Sequence, residues 1–185
     1  MTEFPRLETE RLVLRKFARA DILKVTEYMA DRSIQKMMTV WQESVSQRNI
    51  GYWISLHQRR FEINHGITFA IVHKSENVCI GAVGLGMYEG KHRASIKYWI
   101  GTPYRGQGYA TEAVRKVLEY GFNVWELEVI IGLTIQGNPE SKAVLEKIGL
   151  RQKGVIEVFV PKGNKTVCED LYEISDIEWA KRAES

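Results

Sequence analysis

The segment YWIGTPYRGQGYATEA, residues 98–113, combines the end of an apolar strand, a glycine-rich bend and the start of a helix. Gly106 and Gly108 let a ligand approach their backbone N–H groups, since glycine has no side chain. The helix that follows begins with unpaired N–H groups and carries the positive end of its dipole there. The arrangement predicts a site for phosphate or pyrophosphate, to which Arg105 adds positive charge.

The bend does not match other phosphate-binding motifs. It lacks the GK[ST] ending of a nucleoside-triphosphate loop, and Gly106 and Gly108 followed by Thr111 do not complete GxGxxG. Two glycines alone are equally typical of a strand–helix turn that needs them only for its backbone geometry.

Hydrophobic periodicity predicts the elements on either side of this segment. Strands are expected at 12–15, 67–73, 78–87, 94–100, 129–135, 152–160 and 166–174. Helices are expected at 21–29, 44–64 and 109–122, after Asn138 and at the C-terminus, with irregular structure at 31–43. Hairpins beside strand–helix–strand crossovers predict an α/β (α+β mixed) fold, a mixed sheet of six to seven strands with helices on both faces.

Composition limits the classes of protein. The 185 residues suffice for one core, so a single domain over residues 1–185 is expected. No run approaches the roughly 18 apolar residues of a membrane helix, and residues 1–10 do not resemble a signal peptide, so a cytoplasmic protein is expected. A net charge of +3 gives no reason to expect nucleic-acid binding. Cys79 and Cys168 are expected to be buried, and the four histidines lack metal-ligand spacing.

Four motifs together resemble the GCN5-related N-acetyltransferases, and specifically the RimJ/RimL-type subfamily that acetylates the N-termini of ribosomal proteins. Arg105-x-x-Gly108-x-Ala110 matches the family's (Gln/Arg)-x-x-Gly-x-(Gly/Ala) signature for acetyl-coenzyme A. The other three are TERLVLR at 9–15, YWI at 98–100, and NPES at 138–141 followed by LEKIGL at 145–150. They keep the family's order from about residue 7 to 174.

The resemblance implies a sheet that splays between its fourth and fifth strands, 94–100 and 129–135, to admit acetyl-coenzyme A. The backbone of residues 98–100 would pair with the pantetheine arm like an added strand, and an N–H near Ile100 would polarise the thioester oxygen. The N–H groups of residues 105–110 would hold the pyrophosphate. The implied cofactor-binding residues are Tyr98, Trp99, Ile100, Arg105, Gly106, Gln107, Gly108, Tyr109, Ala110, Thr111, Asn138 and Ser141.

Asn138 and Ser141 are the catalytic candidates that the resemblance implies. Asn138 would reach the pantetheine amides, and the Ser141 hydroxyl would give a proton to the leaving thiolate. Asn138 before Pro139 is also a common helix N-cap, and the two roles can hold together. For Ser141 the alternative is a first-turn serine bonded to its own backbone.

The general base is not apparent from the sequence. The subfamily reads Ala-Glu-Ile-Gly-Tyr-Trp where this chain reads ASIKYW at 94–99, so Ser95 replaces the usual Glu. Possible substitutes are Glu89, His92, Glu157 and Asp170. A chain of water molecules is an equal alternative, because a base needs only to reach its proton directly or through one water.

The sequence therefore predicts an N-acetyltransferase that uses acetyl-coenzyme A, without a metal, and transfers directly to a primary amine in a ternary complex. The acceptor is a protein N-terminus or a small molecule such as a polyamine or antibiotic, and the protein is a monomer or homodimer. Acceptor choice is expected from residues 31–65, where Met37, Met38 and Trp41 line the pocket or pack the core, and from the loop at 161–165. A non-catalytic coenzyme-A-binding module and an unrelated nucleotide-binding domain are the other classes.

Overall fold

Short apolar segments of the chain assemble into one eight-stranded sheet in a computed structural model, which describes residues 3–37, 44–88, 92–160 and 164–183. The strands are β1 (Leu7–Glu8), β2 (Leu12–Arg15), β3 (Gly66–His73), β4 (Val78–Met87), β5 (Arg93–Ile100), β6 (Val129–Ile135), β7 (Arg151–Val160) and β8 (Lys165–Ser175). The helices are α1 (Asp21–Met29), α2 (Arg32–Met37), α3 (Gln47–Glu62), α4 (Tyr109–Asn123), α5 (Pro139–Ile148) and α6 (Asp176–Ala183).

The strand order is β1-β2-β3-β4-β5-β6-β8-β7. Neighbours from β1 to β5 are antiparallel, and so are β6 with β8 and β8 with β7. Among the described strands, only β5 and β6 are parallel, because α4 carries the chain back between them. The predicted mixed sheet is confirmed, and its single parallel pair lies at the glycine-rich bend.

Alternation along the strands gives the sheet two faces, each with its own core. On the face that we call the α4 face, strand residues such as Leu85 and Ile130 pack with apolar residues of α4 and α5. On the opposite face, the α3 face, residues such as Ala82 and Trp99 pack with α1, α2 and α3. Helices therefore cover both faces, as predicted.

All seven predicted strands are present. The sheet has eight strands, one more than the six to seven predicted, because β1 pairs with β2 over two residues. The prediction of irregular structure at 31–43 is wrong for α2. There the side chain of Asp31 accepts a hydrogen bond from the Ser33 N–H at 2.7 Å, and Ile34 is fully buried. Aspartate before an apolar turn is an N-cap signal that the sequence analysis missed.

Cys79 is buried as predicted, but Cys168 is exposed on β8. Its stretch looks apolar, yet it lies in the β7–β8 hairpin at the sheet edge, where most side chains of β7 are exposed. Met38, Trp41, Glu89 and residues 161–163 lie outside the described residues, as does the side chain of Met37. Within the part of the chain that the structure describes, no helix is long and apolar enough to cross a bilayer.

Candidate active site

The bend between β5 and α4 has the left-handed backbone that only glycine adopts easily. Gly106 has φ +72° and Gly108 has φ +83°, and Gly108 is the N-cap of α4. A Cβ on Gly106 would contact nothing within 4 Å, whereas one on Gly108 would lie 3.4 Å from the Arg11 guanidinium. The glycines therefore serve the backbone conformation, and they also leave the outer side of the bend open.

The N–H groups of residues 106–111 take part in none of the hydrogen bonds found between described residues, and the first bond that closes the helix comes from Glu112 to the Gly108 carbonyl. They lie beside a cleft of about 740 Å³, lined by Gln107, Gly108 and Thr111. Arg115 and Lys147 also line it, from α4 and α5. Four glutamates line other parts of the cleft, so the place that suits an anion is its side next to the bend, where backbone donors and the helix dipole would bind it.

Arg11 anchors the bend, a role that the sequence analysis did not assign. Its guanidinium bonds the Glu112 carboxylate at 2.7 Å and the Gln107 carbonyl at 3.0 Å, and it lies 4.4 Å from the centre of the Tyr109 ring. Burial alone would raise the pKa of Glu112, but hydrogen bonds from Thr9 and Arg11 bring it below its usual value. The TERLVLR motif therefore fixes the bend from a strand three positions away in the sheet.

The Arg105 side chain turns away from the bend. Its Nε donates to the Ile100 carbonyl at 3.1 Å, and one Nη lies 3.3 Å from the Ser33 hydroxyl at the start of α2. Its other Nη is buried without a hydrogen-bond partner. Thr102 bonds Asp31 at 2.5 Å nearby and, with Ser33, holds the pKa of Asp31 at about 2. In this structure the signature arginine braces the end of β5 against α2 rather than facing the cleft.

The predicted splay is present between β5 and β6. They pair only over Arg93–Ile96 and 129–132, after which residues 97–100 keep β4 as their one neighbour. On the other side, residues 133–135 pair only with β8. The facing backbone edges of the two strands are therefore available to an extended ligand.

Two buried polar atoms near the splay lack partners. The Thr134 hydroxyl and the indole N–H of Trp99 are buried and make no hydrogen bond with any residue that the structure describes. Such atoms are costly unless a ligand or water satisfies them. Together with the free N–H groups of the bend, they make the splay and the adjoining cleft a fitting site for the pantetheine and pyrophosphate of coenzyme A.

The structure brings together Tyr98, Asn138 and Ser141 on the α4 face of the splay. The Asn138 side-chain oxygen accepts from the Ser141 N–H at 3.1 Å, so the predicted N-cap is present, and its amide nitrogen is left for a ligand. The Tyr98 phenol bonds the Ser141 hydroxyl at 2.9 Å and its carbonyl at 3.1 Å. Burial raises the pKa of Tyr98 to about 12, so the phenol stays protonated.

The α3 face of the splay carries a second polar group of residues. His57 accepts or donates a 2.8 Å hydrogen bond with Thr68, and burial, Arg60 and Lys97 lower its pKa to about 4. Ser95 and Lys97 alternate with Trp99 on this face of β5. The face is therefore polar and carries positive charge where it approaches the opening.

Of the described substitutes for the missing base, His92 and Glu157 lie away from the splay, whereas Asp170 is aligned with Thr134 beside it. His92 precedes β5 at its closed end, about 26 Å along the strand from Ile100. Glu157 is exposed on the edge strand β7. Asp170 lies on the α4 face of β8, bonded to Gln136 at 3.3 Å.

Comparison with known proteins supports this geometry. The Acetyltransferase (GNAT) domain family matches residues 11–151. YnaD, an uncharacterized N-acetyltransferase of Bacillus subtilis strain 168, is 30% identical over 174 residues, which cover 94% of this chain and 98% of YnaD.

Solved acetyltransferase structures have the same fold as this chain. An acetyltransferase of the GNAT family from Bacillus anthracis has a TM-score of 0.82 at 28% identity, covering 94% of this chain and 99% of its own. The ribosomal-protein-S5-alanine acetyltransferase from Vibrio fischeri has a TM-score of 0.79 at 18% identity, covering 95% and 98%. At that identity the second likeness concerns the fold alone.

Proposed function

Because the chain belongs to the acetyltransferase (GNAT) domain family and is an acetyl-coenzyme-A-dependent N-acetyltransferase, we propose that its acceptor is the N-terminal amine of a protein, such as a ribosomal protein. The splay carries this proposal. An opening between two strands holds the extended pantetheine arm in place and leaves the thioester at its end accessible to an amine from the α3 face. Acetyl-coenzyme A supplies the activated acetyl group.

In this proposal the chain binds acetyl-coenzyme A mainly through its backbone. The N–H groups of residues 106–111 hold the pyrophosphate, since the expected donor at Arg105 is bonded to the Thr102 carbonyl. The edge of residues 98–100 orders the pantetheine arm, helped by the Asn138 amide. A backbone N–H near Ile100 polarises the thioester carbonyl, because a fixed donor stabilises the negative charge that develops on the oxygen. Arg105 fixes the Ile100 carbonyl and so the end of this edge.

Ser141 supplies the proton for the leaving thiolate, and Tyr98 orients it. The hydrogen bond between the two hydroxyls, 2.9 Å long, places both beside the splay. Transfer is direct, without a covalent acyl-enzyme. In support of this, burial raises the pKa of the Cys79 thiol to about 12, which leaves it a poor nucleophile at neutral pH.

The choice of a protein acceptor rests on two further observations. A solved enzyme with the same fold is a ribosomal-protein-S5-alanine acetyltransferase. Arg60 and Lys97 approach the opening from the α3 face and would repel the additional positive charges of a polyamine, which a peptide N-terminus does not carry. An acceptor made on ribosomes agrees with a cytoplasmic protein, acting as a monomer or homodimer.

An acceptor panel tests the proposal. Purified protein is given acetyl-coenzyme A with peptides that start with Ala or Ser, the same peptides blocked at the N-terminus, spermidine and kanamycin, and thiol release is followed. We expect turnover of the free peptides and none of the blocked ones. Turnover of spermidine or kanamycin alone would contradict the protein acceptor. Binding of acetyl-coenzyme A without turnover of any amine would favour the non-catalytic module.

A further inference from the structure

An ion pair crosses β6 at the closed end of the splay. Arg93 of β5 bonds Glu173 of β8 at 2.6 Å, on the α3 face of the sheet. Arg93 is aligned with Val129 of β6, and Glu173 is aligned with Ile131, two residues further along β6. The ion pair thus runs diagonally across β6. Where the strands are in contact, this diagonal therefore brings opposite charges together.

The same diagonal recurs four residues further on, where the strands have separated. Lys97 follows Arg93 on the same face of β5, and Glu169 precedes Glu173 on the same face of β8, opposite Ile135. Arg93 and Glu173 form an ion pair. At the level of the splay, the same diagonal carries the Lys97 ammonium on β5 and, beyond β6, the Glu169 carboxylate on β8.

Glu169 is placed to meet an amine that enters from the α3 face. It is only 7% exposed, although β8 is one strand from the sheet edge. Charged and titratable groups near it include Lys97 of β5, which in turn interacts with Arg60 and His57 of α3. Burial and Arg60 lower the pKa of Lys97, whereas Glu169 raises it, so the Lys97 ammonium and the Glu169 carboxylate interact electrostatically although β6 lies between their strands.

We propose that Glu169 is the general base of acetyl transfer, replacing the strand residue whose position Ser95 occupies. The inference rests on the proposed transfer to a primary amine, whatever molecule carries that amine. The proposal places the general base on the α3 face of β8. The sequence had offered Glu89, His92, Glu157 and Asp170 for this role. Lys97 acts as a positioning residue that keeps the carboxylate ionised until the acceptor arrives.

The proton and electron balance is complete without a further reactant. The acceptor enters as an ammonium ion and gives one proton to the Glu169 carboxylate, which frees the nitrogen lone pair. The C–N bond forms, the C–S bond breaks with its electron pair going to sulfur, and the thiolate takes a proton from Ser141. The second amine proton leaves nitrogen and restores the Ser141 hydroxyl through water, and Glu169 releases the first amine proton to solvent.

Glu169→Gln tests the proposal against Glu173→Gln, a matched control in the same strand and face. The substrate is the amine with the highest turnover in the acceptor panel, and kcat/KM is measured from pH 5 to 10 alongside the affinity for acetyl-coenzyme A. We expect E169Q to lose at least about 100-fold in kcat/KM and its acid limb, with unchanged cofactor affinity. E173Q should keep the limb and stay within about threefold of wild type.

Lys97→Met gives an independent readout, because loss of the nearby positive charge raises the carboxylate pKa and moves the acid limb to higher pH. Should E169Q not fold, Glu169→Asp carries the test, and we expect it to keep the limb at lower kcat/KM. An E169Q or E169D enzyme within about threefold of wild type, or an unmoved limb in Lys97→Met, overturns the proposal. Turnover of spermidine in place of peptides would refute only the protein acceptor, since the same variants are then compared on spermidine.

Discussion

The phenolic oxygen of Tyr98 lies 2.9 Å from the hydroxyl oxygen of Ser141 and joins β5 to α5 across the splay. The phenol has one proton, and it is also within 3.1 Å of the Ser141 carbonyl. When the phenol proton is donated to that carbonyl, the 2.9 Å contact is a hydrogen bond that the Ser141 hydroxyl donates to the Tyr98 oxygen. This bond fixes the orientation of the Ser141 hydroxyl, which the proposed protonation of the thiolate requires.

Ser141→Ala should lower kcat by about 100-fold, because the thiolate then leaves without a proton donor. Tyr98→Phe should lower it by only about tenfold, since Ser141 keeps its proton but loses its orienting partner. The affinity for acetyl-coenzyme A, measured by calorimetry, should change little in either variant. Normal turnover in Ser141→Ala would show that another group protonates the thiolate.

Arg11→Ala should raise the KM for acetyl-coenzyme A about tenfold, because the bend loses its bonds to Glu112 and the Gln107 carbonyl. Steady-state kinetics with varied acetyl-coenzyme A measure this. Arg6→Ala is the control, since Arg6 bonds only the exposed Glu8 among the described residues. Equal KM values for the two variants would mean that Arg11 does not hold the bend.

Gly108→Ala should weaken binding of acetyl-coenzyme A, because alanine at φ +83° costs about 1–2 kcal/mol and its Cβ meets Arg11. Gly154→Ala is the matched control, in a strand where an added Cβ has open space. Calorimetric titration with coenzyme A should show the loss for the first variant and not for the second. An unchanged affinity in Gly108→Ala would contradict the backbone-held anion site.

His57 should make the protein less stable in acid. Its pKa falls from 6.5 to about 4 on folding, chiefly by burial, so the unfolded chain binds more protons between those values. Stability is then unaffected above pH 6.5 and decreases as the pH falls toward 4, by at most about 3 kcal/mol. Urea unfolding at pH 7 and pH 4.5 measures it.

His57→Gln is the comparison, since glutamine can keep a bond to Thr68 without titrating. We expect its stability to fall less between the two pH values, while the carboxylates contribute equally to both proteins. The same loss in both proteins would mean that His57 titrates normally.

Local patterns predicted much of this fold. The bounds of α1 and α4, the glycine bend and the order of seven strands follow from periodicity and from Gly106 and Gly108. The family resemblance located the splay. The sequence alone did not predict the strand register, in which the β5–β6 ladder ends at Ile96.

The residues missed in the site depend on contacts between distant parts of the chain. Arg11 and Glu112 are 101 positions apart, so no local pattern joins them. In the sequence, Glu169 is one of several charged residues in the last hairpin. Its position near the splay is evident only from the sheet order, in which β8 lies between β6 and β7. Arg105 has a signature position, but its direction is decided by Ser33 in a helix that the sequence did not reveal.

The sheet order also has a consequence for synthesis of the chain. Strands β1 to β5 pair with their sequence neighbours, so this meander is able to form while later residues are still being translated. The far side of the splay needs β8, which lies between β6 and β7 and pairs with both. A nascent chain thus contains the bend long before the β7–β8 hairpin, and Glu169, the base that we propose, is in place only once that hairpin has docked.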